Sequence, residues 1–136
     1  MAQLRPYLHF DGTAREAMNF YKEILGGELE LQTVGETPWA SEMPNIDKIP
    51  KERIMHSTLT KDGWVLMASD MMMPESFTKG DTVSICLVCE SKEEIEDLYN
   101  KLSAGGDVFM KLEETPFGTF AMVTDKFGTE WMLQLP

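Results

Sequence analysis

The sequence predicts an α+β fold made of two tandem strand–helix–strand–strand–strand modules that form a mixed sheet with the helices outside. Three observations predict it. A stretch from Arg5 to Gly27 (RPYLHFDGTAREAMNFYKEILGG) reads as an apolar strand, a capped helix and a glycine stop. A second stretch, from Val83 to Gly106, repeats that order. Thr13 matches Ser91, Glu16 matches Glu94, Phe20-Tyr21 matches Leu98-Tyr99 and Ile24 matches Leu102, all at one constant offset, while the glycine pair slips by one. A duplicated module explains caps and apolar faces together.

In chain order, Leu4 to Phe10 is the first strand. Thr13-Ala14-Arg15-Glu16 has the spacing of a capping box, in which the threonine hydroxyl accepts an amide and the glutamate reaches back. Ala17, Phe20, Tyr21 and Ile24 give the following helix one apolar face. Gly26-Gly27 ends it, because glycine takes a left-handed φ without a Cβ clash. Glu28 to Val34 alternates polar and apolar as a half-buried strand does. Gly35 to Glu52 is a long connection carrying Pro38, Pro44 and Pro50. Its apolar residues Trp39, Met43 and Ile46 mark it as a lid or a dimer contact.

Arg53 to Thr60 and Trp64 to Ser69 are strands joined by the hairpin turn Lys61-Asp62-Gly63. Asp70 to Asp81, with three methionines, links module one (about residues 3–70) to module two (about 81–136), and the two are expected to form a single domain over 1–136. Module two continues as the strand Val83–Cys89, a helix from the box Ser91-Lys92-Glu93-Glu94 to Ala104, and strands Asp107–Glu114, Thr119–Thr124 and Glu130–Leu135. Asp62, Asp70 and Asp125 read as turn residues by position. Trp64 and Trp131 read as core.

Bulk composition narrows the function classes. The 136 residues carry a formal net charge of −11, which argues against nucleic acid and anionic membrane surfaces as partners. No apolar run is long enough to span a bilayer. Two cysteines and an N-terminus without a signal-peptide pattern set the expected location in the cytoplasm. Cys86-Leu87-Val88-Cys89 matches C-x-x-C in letters, but it lies in a strand and not at a helix start, so two buried, inert thiols are expected.

The segments PYLHFDG (Pro6–Gly12), MHSTL (Met55–Leu59), VLMASD (Val65–Asp70) and DKFGTEW (Asp125–Trp131), with Glu16-Ala17 and Phe20-Tyr21 between them, resemble the PhnB-like branch of the glyoxalase/bleomycin-resistance/dioxygenase family, also called vicinal oxygen chelate. That branch carries a label as a demethylubiquinone methyltransferase. The resemblance covers the whole chain and implies a curled sheet around a ligand groove. It implies too that metal-dependent relatives place His, Glu or Gln at positions that fall here on Pro6, Met67, Ser84 and Met132. None of these is a good ligand for a hard divalent ion, so no metal and no cofactor are expected.

The expected groove is lined by Leu8, Phe10, Met67, Ser84, Cys86 and Met132, with Trp39 as a loop residue that could cover it. This lining suits an apolar ligand and the acidic surface a cationic one, so the partner is a small molecule. His9 is placed on the helix side as a core histidine. His56 has two readings, an acid–base group near neutral pH or a structural hydrogen-bond partner. The function expected is metal-free small-molecule binding. The alternatives are a metal-independent lyase or isomerase using His56 and, more weakly, methyl transfer. A homodimer is expected.

Overall fold

The two helices match residue for residue. The computed structural model describes residues 1–72 and 77–136, and in it the helices run Ala14–Leu25 (α1) and Lys92–Ser103 (α2), twelve residues each at the predicted offset. The strands are Tyr7–Phe10 (β1), Glu28–Thr33 (β2), Ile54–Lys61 (β3), Trp64–Asp70 (β4), Ile85–Val88 (β5), Asp107–Thr115 (β6), Gly118–Thr124 (β7) and Glu130–Leu135 (β8). They form two four-stranded sheets, ordered β1-β4-β3-β2 and β5-β8-β7-β6. In each, the first strand pairs in parallel with the last and the remaining pairs are antiparallel, so both sheets are mixed. The chain divides into two units, Met1–Thr78 and Lys79–Pro136. The opening strands are shorter than expected: Leu4 and Val83 lie outside them and are largely exposed.

In unit one, Ala14, Ala17, Met18 and Tyr21 are the buried stripe of α1. This stripe sits slightly around the helix from the predicted one, with Phe20 and Ile24 only half-buried. The sheet supplies Phe10, Ile54, Ser57, Leu59, Leu66 and Ala68, all buried. Each large apolar side chain so buried contributes about 1.5–3 kcal/mol. Unit two packs Ile95 and Leu102 of α2 with Ala121, Val123, Trp131 and Leu133.

Of the two predicted capping boxes only the second forms. The Glu94 N–H donates to Ser91 Oγ at 3.1 Å, and Glu94 Oε1 accepts from the Glu90 N–H at 2.8 Å. Thr13 makes no side-chain cap. Its place is taken by Asp70, which corrects the reading of that residue as part of a turn. Asp70 ends β4 and is only 3% exposed. Its Oδ1 accepts from the Gly12 and Ala14 N–H groups at 2.9 and 3.0 Å, and its Oδ2 accepts from the Ile54 N–H at 2.8 Å. A full carboxylate at a helix N-terminus outperforms a hydroxyl, since it matches the positive end of the helix dipole.

Asp125 is likewise buried. Its Oδ1 accepts from the Phe127 and Thr129 N–H groups, and its Oδ2 accepts from the indole N–H of Trp131 at 2.8 Å. Trp131 is core as predicted, whereas Trp64 is exposed at the start of its strand. At the end of α1, Gly27 has φ +98° and its Cα lies against the Thr60 carbonyl, where a Cβ would come within 2.6 Å of the oxygen.

The connection after β2 folds on itself through two short 3₁₀ turns, Pro38–Glu42 and Ile46–Lys48. Val34, Ala40 and Ile49 form its own small core, with Met43, Ile46, Met55 and Met72 packed against it. Of the three methionines in the linking segment, Met73 lies outside the described residues.

Two stability outcomes are expected. Asp70→Ala strands three N–H groups and should lower unfolding free energy by about 3 kcal/mol or more in urea titrations. Ser91→Ala should cost about 1 kcal/mol, and Thr13→Ala less than about 0.5 kcal/mol, because only Ser91 caps.

Candidate functional site

Strand alternation decides which side chains leave the helix-packed face of each sheet. In unit one the register pairs Tyr7 with Met67 and His9 with Ser69 across β1 and β4. It pairs Thr58 with Met67 across β3 and β4, and Gln32 with His56 across β2 and β3. The buried residues Leu66, Ala68, Ser57 and Leu59 point the other way. Tyr7, His9, Met67, Ser69, Thr58, His56, Gln32 and Glu30 therefore share the open face.

This corrects two expectations. Leu8 and Phe10 lie with Ala68 and Asp70 in the register, on the helix-packed side and not beside Met67. His9 is exposed on the open face. The cause is a one-residue phase difference in β1 relative to β5, which turns every side chain over.

The open face of unit one is polar and aromatic. Tyr7 Oη lies 3.1 Å from His56 Nδ1, a hydrogen bond whose direction follows the imidazole tautomer. The Tyr7 ring centroid is 5.1 Å from that of His9 and 5.7 Å from that of His56, with both pairs tilted by about a third of a right angle. The sequence singles out His56, places His9 on the helix side and does not single out Tyr7; the structure brings the three rings together. The period-two alternation of YLHF contained Tyr7 and His9, but only the phase against β4 shows which pair is outward.

The open face of unit two is different. Cys86 pairs with Met132, Val88 with Gln134, and Met122 with both Met132 and Met110. Ser84 precedes β5 and lines a cavity of about 180 Å³ together with Asp81, Phe109, Met122, Thr124 and Glu130. Cys86 and Met132 share this sheet face with the cavity. Trp39 stays apart from both sets; it lies on the first 3₁₀ turn of the loop and is 57% exposed. The two cysteines differ, against the expectation that both are buried. Cys86 is exposed, with Sγ 3.7 Å from Gln134 Oε1, whereas Cys89 is buried. Burial, reinforced by the nearby Glu94 carboxylate, pushes the Cys89 thiol up to about 11.

The positions where a chelating relative would hold a metal do not fit one. Pro6 and Ser84 lie just before β1 and β5 and offer no imidazole or carboxylate, and Met67 and Met132 on β4 and β8 offer thioethers, poor donors to a hard ion. Among the described residues no three His, Cys, Asp or Glu side chains converge. No helix among them is long and apolar enough to cross a membrane.

Two strand–helix–three-strand units with open sheet faces define the glyoxalase-like, vicinal oxygen chelate class of fold. The glyoxylase/bleomycin resistance protein/dioxygenase domain from Frankia sp. EAN1pec shares it with a TM-score of 0.67 at 13% identity, over 99% of this chain and 92% of that one. The family described as 3-demethylubiquinone-9 3-methyltransferase matches residues 2–134, and the chain belongs to that family, the PhnB-like branch of the class. Protein YjdN of Escherichia coli K12 is 31% identical over 97% of this chain and 94% of its own length. The crystal structure of PA1353 from Pseudomonas aeruginosa superposes with a TM-score of 0.86 at 39% identity, covering 99% of this chain and 98% of that one. The PhnB protein from Bacillus cereus does so at 0.81 and 28%, covering 99% and 100%.

The thiol contrast is testable. At pH 8, iodoacetamide should label one cysteine quickly and the second only on unfolding, and Cys86→Ser should remove the fast phase, as read by intact-mass spectrometry.

Proposed function

We propose that the protein is a metal-free, cytoplasmic small-molecule binding protein whose ligand is apolar with a cationic end. The observation that carries this reading is the cavity in unit two. Met122 and Phe109 give it an apolar wall, and Asp81 and Glu130 place two carboxylates in its lining. At about 180 Å³ it is smaller than a drug-sized pocket, so it takes a fragment-sized group such as a single ring or a short alkyl chain. A net charge of −11 raises the local concentration of cations around it. Leu8 and Phe10 drop out of this ligand set, and Cys86 and Met132 share its sheet face.

A second reading has its own observation. The Tyr7–His56 hydrogen bond gives His56 a proton partner on an open face, as a metal-independent lyase or isomerase would use. Methyl transfer, named in the family's description, is the weaker reading, because both glycine pairs follow a helix and so do not form a phosphate-binding loop that opens one. The exposed apolar residues Val83, Val88, Phe109 and Phe117 further support pairing of two copies.

Benzyltrimethylammonium tests the first reading. At a hundred times its Kd it should stabilise the fold by about 2.7 kcal/mol, raising Tm by roughly 5–10 °C. Ser84→Leu, which fills the cavity, should abolish the rise, and His56→Ala should leave it intact. A rise that survives Ser84→Leu removes the cavity from the account. A turnover lost only in His56→Ala would favour the enzyme. Sedimentation velocity should give twice the 15.4 kDa chain mass, and a monomer would end the dimer reading.

A further inference from the structure

The open face of unit one carries a second, chemically opposite feature. His9, Ser69, His56 and Gln32 lie in one row across its four strands: His9 is paired with Ser69 and His56 with Gln32, and the β3–β4 register extended by one residue sets Ser69 beside His56. Tyr7, two residues before His9, reaches across to the His56 Nδ1. Ser69 beneath them is 8% exposed. The imidazole and phenol edges that point away from this contact have no other hydrogen-bond partner among the described residues.

The chemistry of that pair is set by its proton count. When it is neutral, one of its two outer groups is a donor. If the phenol donates to Nδ1, the imidazole Nε2 carries the outward proton; if Nδ1–H donates, the phenol O–H is free. Adding one proton makes Nδ1–H donate to Tyr7 Oη. Both Nε2–H and the phenol O–H then point outward, beside a positive charge. The His9 ring, 5.1 Å from that of Tyr7 and tilted against it, adds a further ring nitrogen. The protonated pair is thus a two-donor cationic site, which fits the two oxygens of a carboxylate. The flanking rings offer a wall for a planar apolar group.

The remaining charges on this face do not cancel it. Alternation places Glu28 and Glu30 of β2 on the same side; Glu30, paired with Thr58, lies next to the Gln32–His56 pair, where its carboxylate favours a protonated His56 from the side of His56 that faces away from β1. β4 contributes only Val65, Met67 and Ser69 there. Lys61 of β3 faces the helix side, where its Nζ donates to the Leu25 carbonyl. The chain's net negative charge opposes an anion only weakly at contact range, since exposed charges are screened over about 8 Å at physiological ionic strength.

We propose that Tyr7, His9 and His56 bind the carboxylate of a small aromatic acid and take up a proton as they do so. This site is built from residues of unit one alone and selects the charge opposite to that selected by the cavity in unit two. Because the protonated form binds best, affinity falls as pH rises.

Benzoate is the probe, being ionised throughout pH 6.0–8.5, so any pH dependence belongs to the protein. Isothermal titration should show benzoate binding at least tenfold tighter at pH 6.0 than at pH 8.5. Buffers of different ionisation enthalpy should reveal proton uptake. Tyr7→Phe should weaken binding about tenfold at pH 6.0, and His56→Gln should remove the proton uptake, with unchanged melting curves showing that both variants fold. Ser84→Leu should have no effect. Equal affinity at both pH values, no benzoate binding, or binding that survives His56→Gln but not Ser84→Leu overturns the proposal. If benzyltrimethylammonium still stabilises the chain while benzoate does not bind, only this inference falls.

Discussion

The Asp70 carboxylate is the interaction on which unit one depends. It sits at the end of β4, yet none of its three donors is on β4. Two belong to the turn and first residue that carry β1 into α1, and the third opens β3. One buried side chain thus joins an edge strand, a helix start and a central strand. Arg53 reinforces the same corner, donating to the Met71 carbonyl at 2.7 Å and pairing with Asp11 at 2.9 Å. Asp11 is partly exposed, so that ion pair alone is worth little. The buried carboxylate is worth more, because removing it leaves the buried Ala14 and Ile54 N–H groups without a partner. It also fixes the phase of β1 against β4, since Asp70 is the register partner of Phe10.

Unit two reaches the same topology by another route. Ser91 and Glu94 cap α2 locally, so the last strand is free of that duty. The buried carboxylate appears instead at Asp125, where it ties the β7–β8 turn to the indole of Trp131. Two copies of one strand–helix–three-strand plan therefore place a buried carboxylate differently: Asp70 ends the last strand of unit one and reaches across the chain, whereas Asp125 lies in the turn before the last strand of unit two and holds that turn locally. The repeat is exact in the helices and in the extents of β1 and β5, and inexact in what holds them.

The architecture was legible in the sequence because it rests on local signals. Both helices have an apolar stripe and a glycine stop, and Lys61-Asp62-Gly63 turns a hairpin. What stayed hidden depends on contacts distant in sequence. Asp70 looks like a turn residue until its 56-residue reach to Ala14 is seen. Cys86 belongs to an apolar strand, and only an open sheet face explains its exposure. Leu8 and Phe10 were assigned to the wrong face for the same reason. The offset that relates the two helices does not hold for the phase of β1, and a period-two structure does not tolerate an error of one. Ser84, Cys86 and Met132 came out on one face because β5 does keep the assumed phase.

That phase difference sets the chemistry of each open face. With the phase of β5, β1 would present Leu8 and Phe10 outward, and unit one would offer an apolar surface like that of Cys86, Val88, Met122 and Met132. In the observed phase it presents Tyr7 and His9, and brings the phenol to the imidazole of His56. The backbone plan is unchanged, yet one sheet face presents a phenol and two imidazoles while its counterpart presents Cys86, Val88, Met122 and Met132. Since Asp70 grips Gly12 and Ala14 just beyond β1, the group that holds the helix start also holds this phase. Stability and the chemistry of this sheet face are therefore coupled through a single carboxylate that lies on the opposite, helix-packed side.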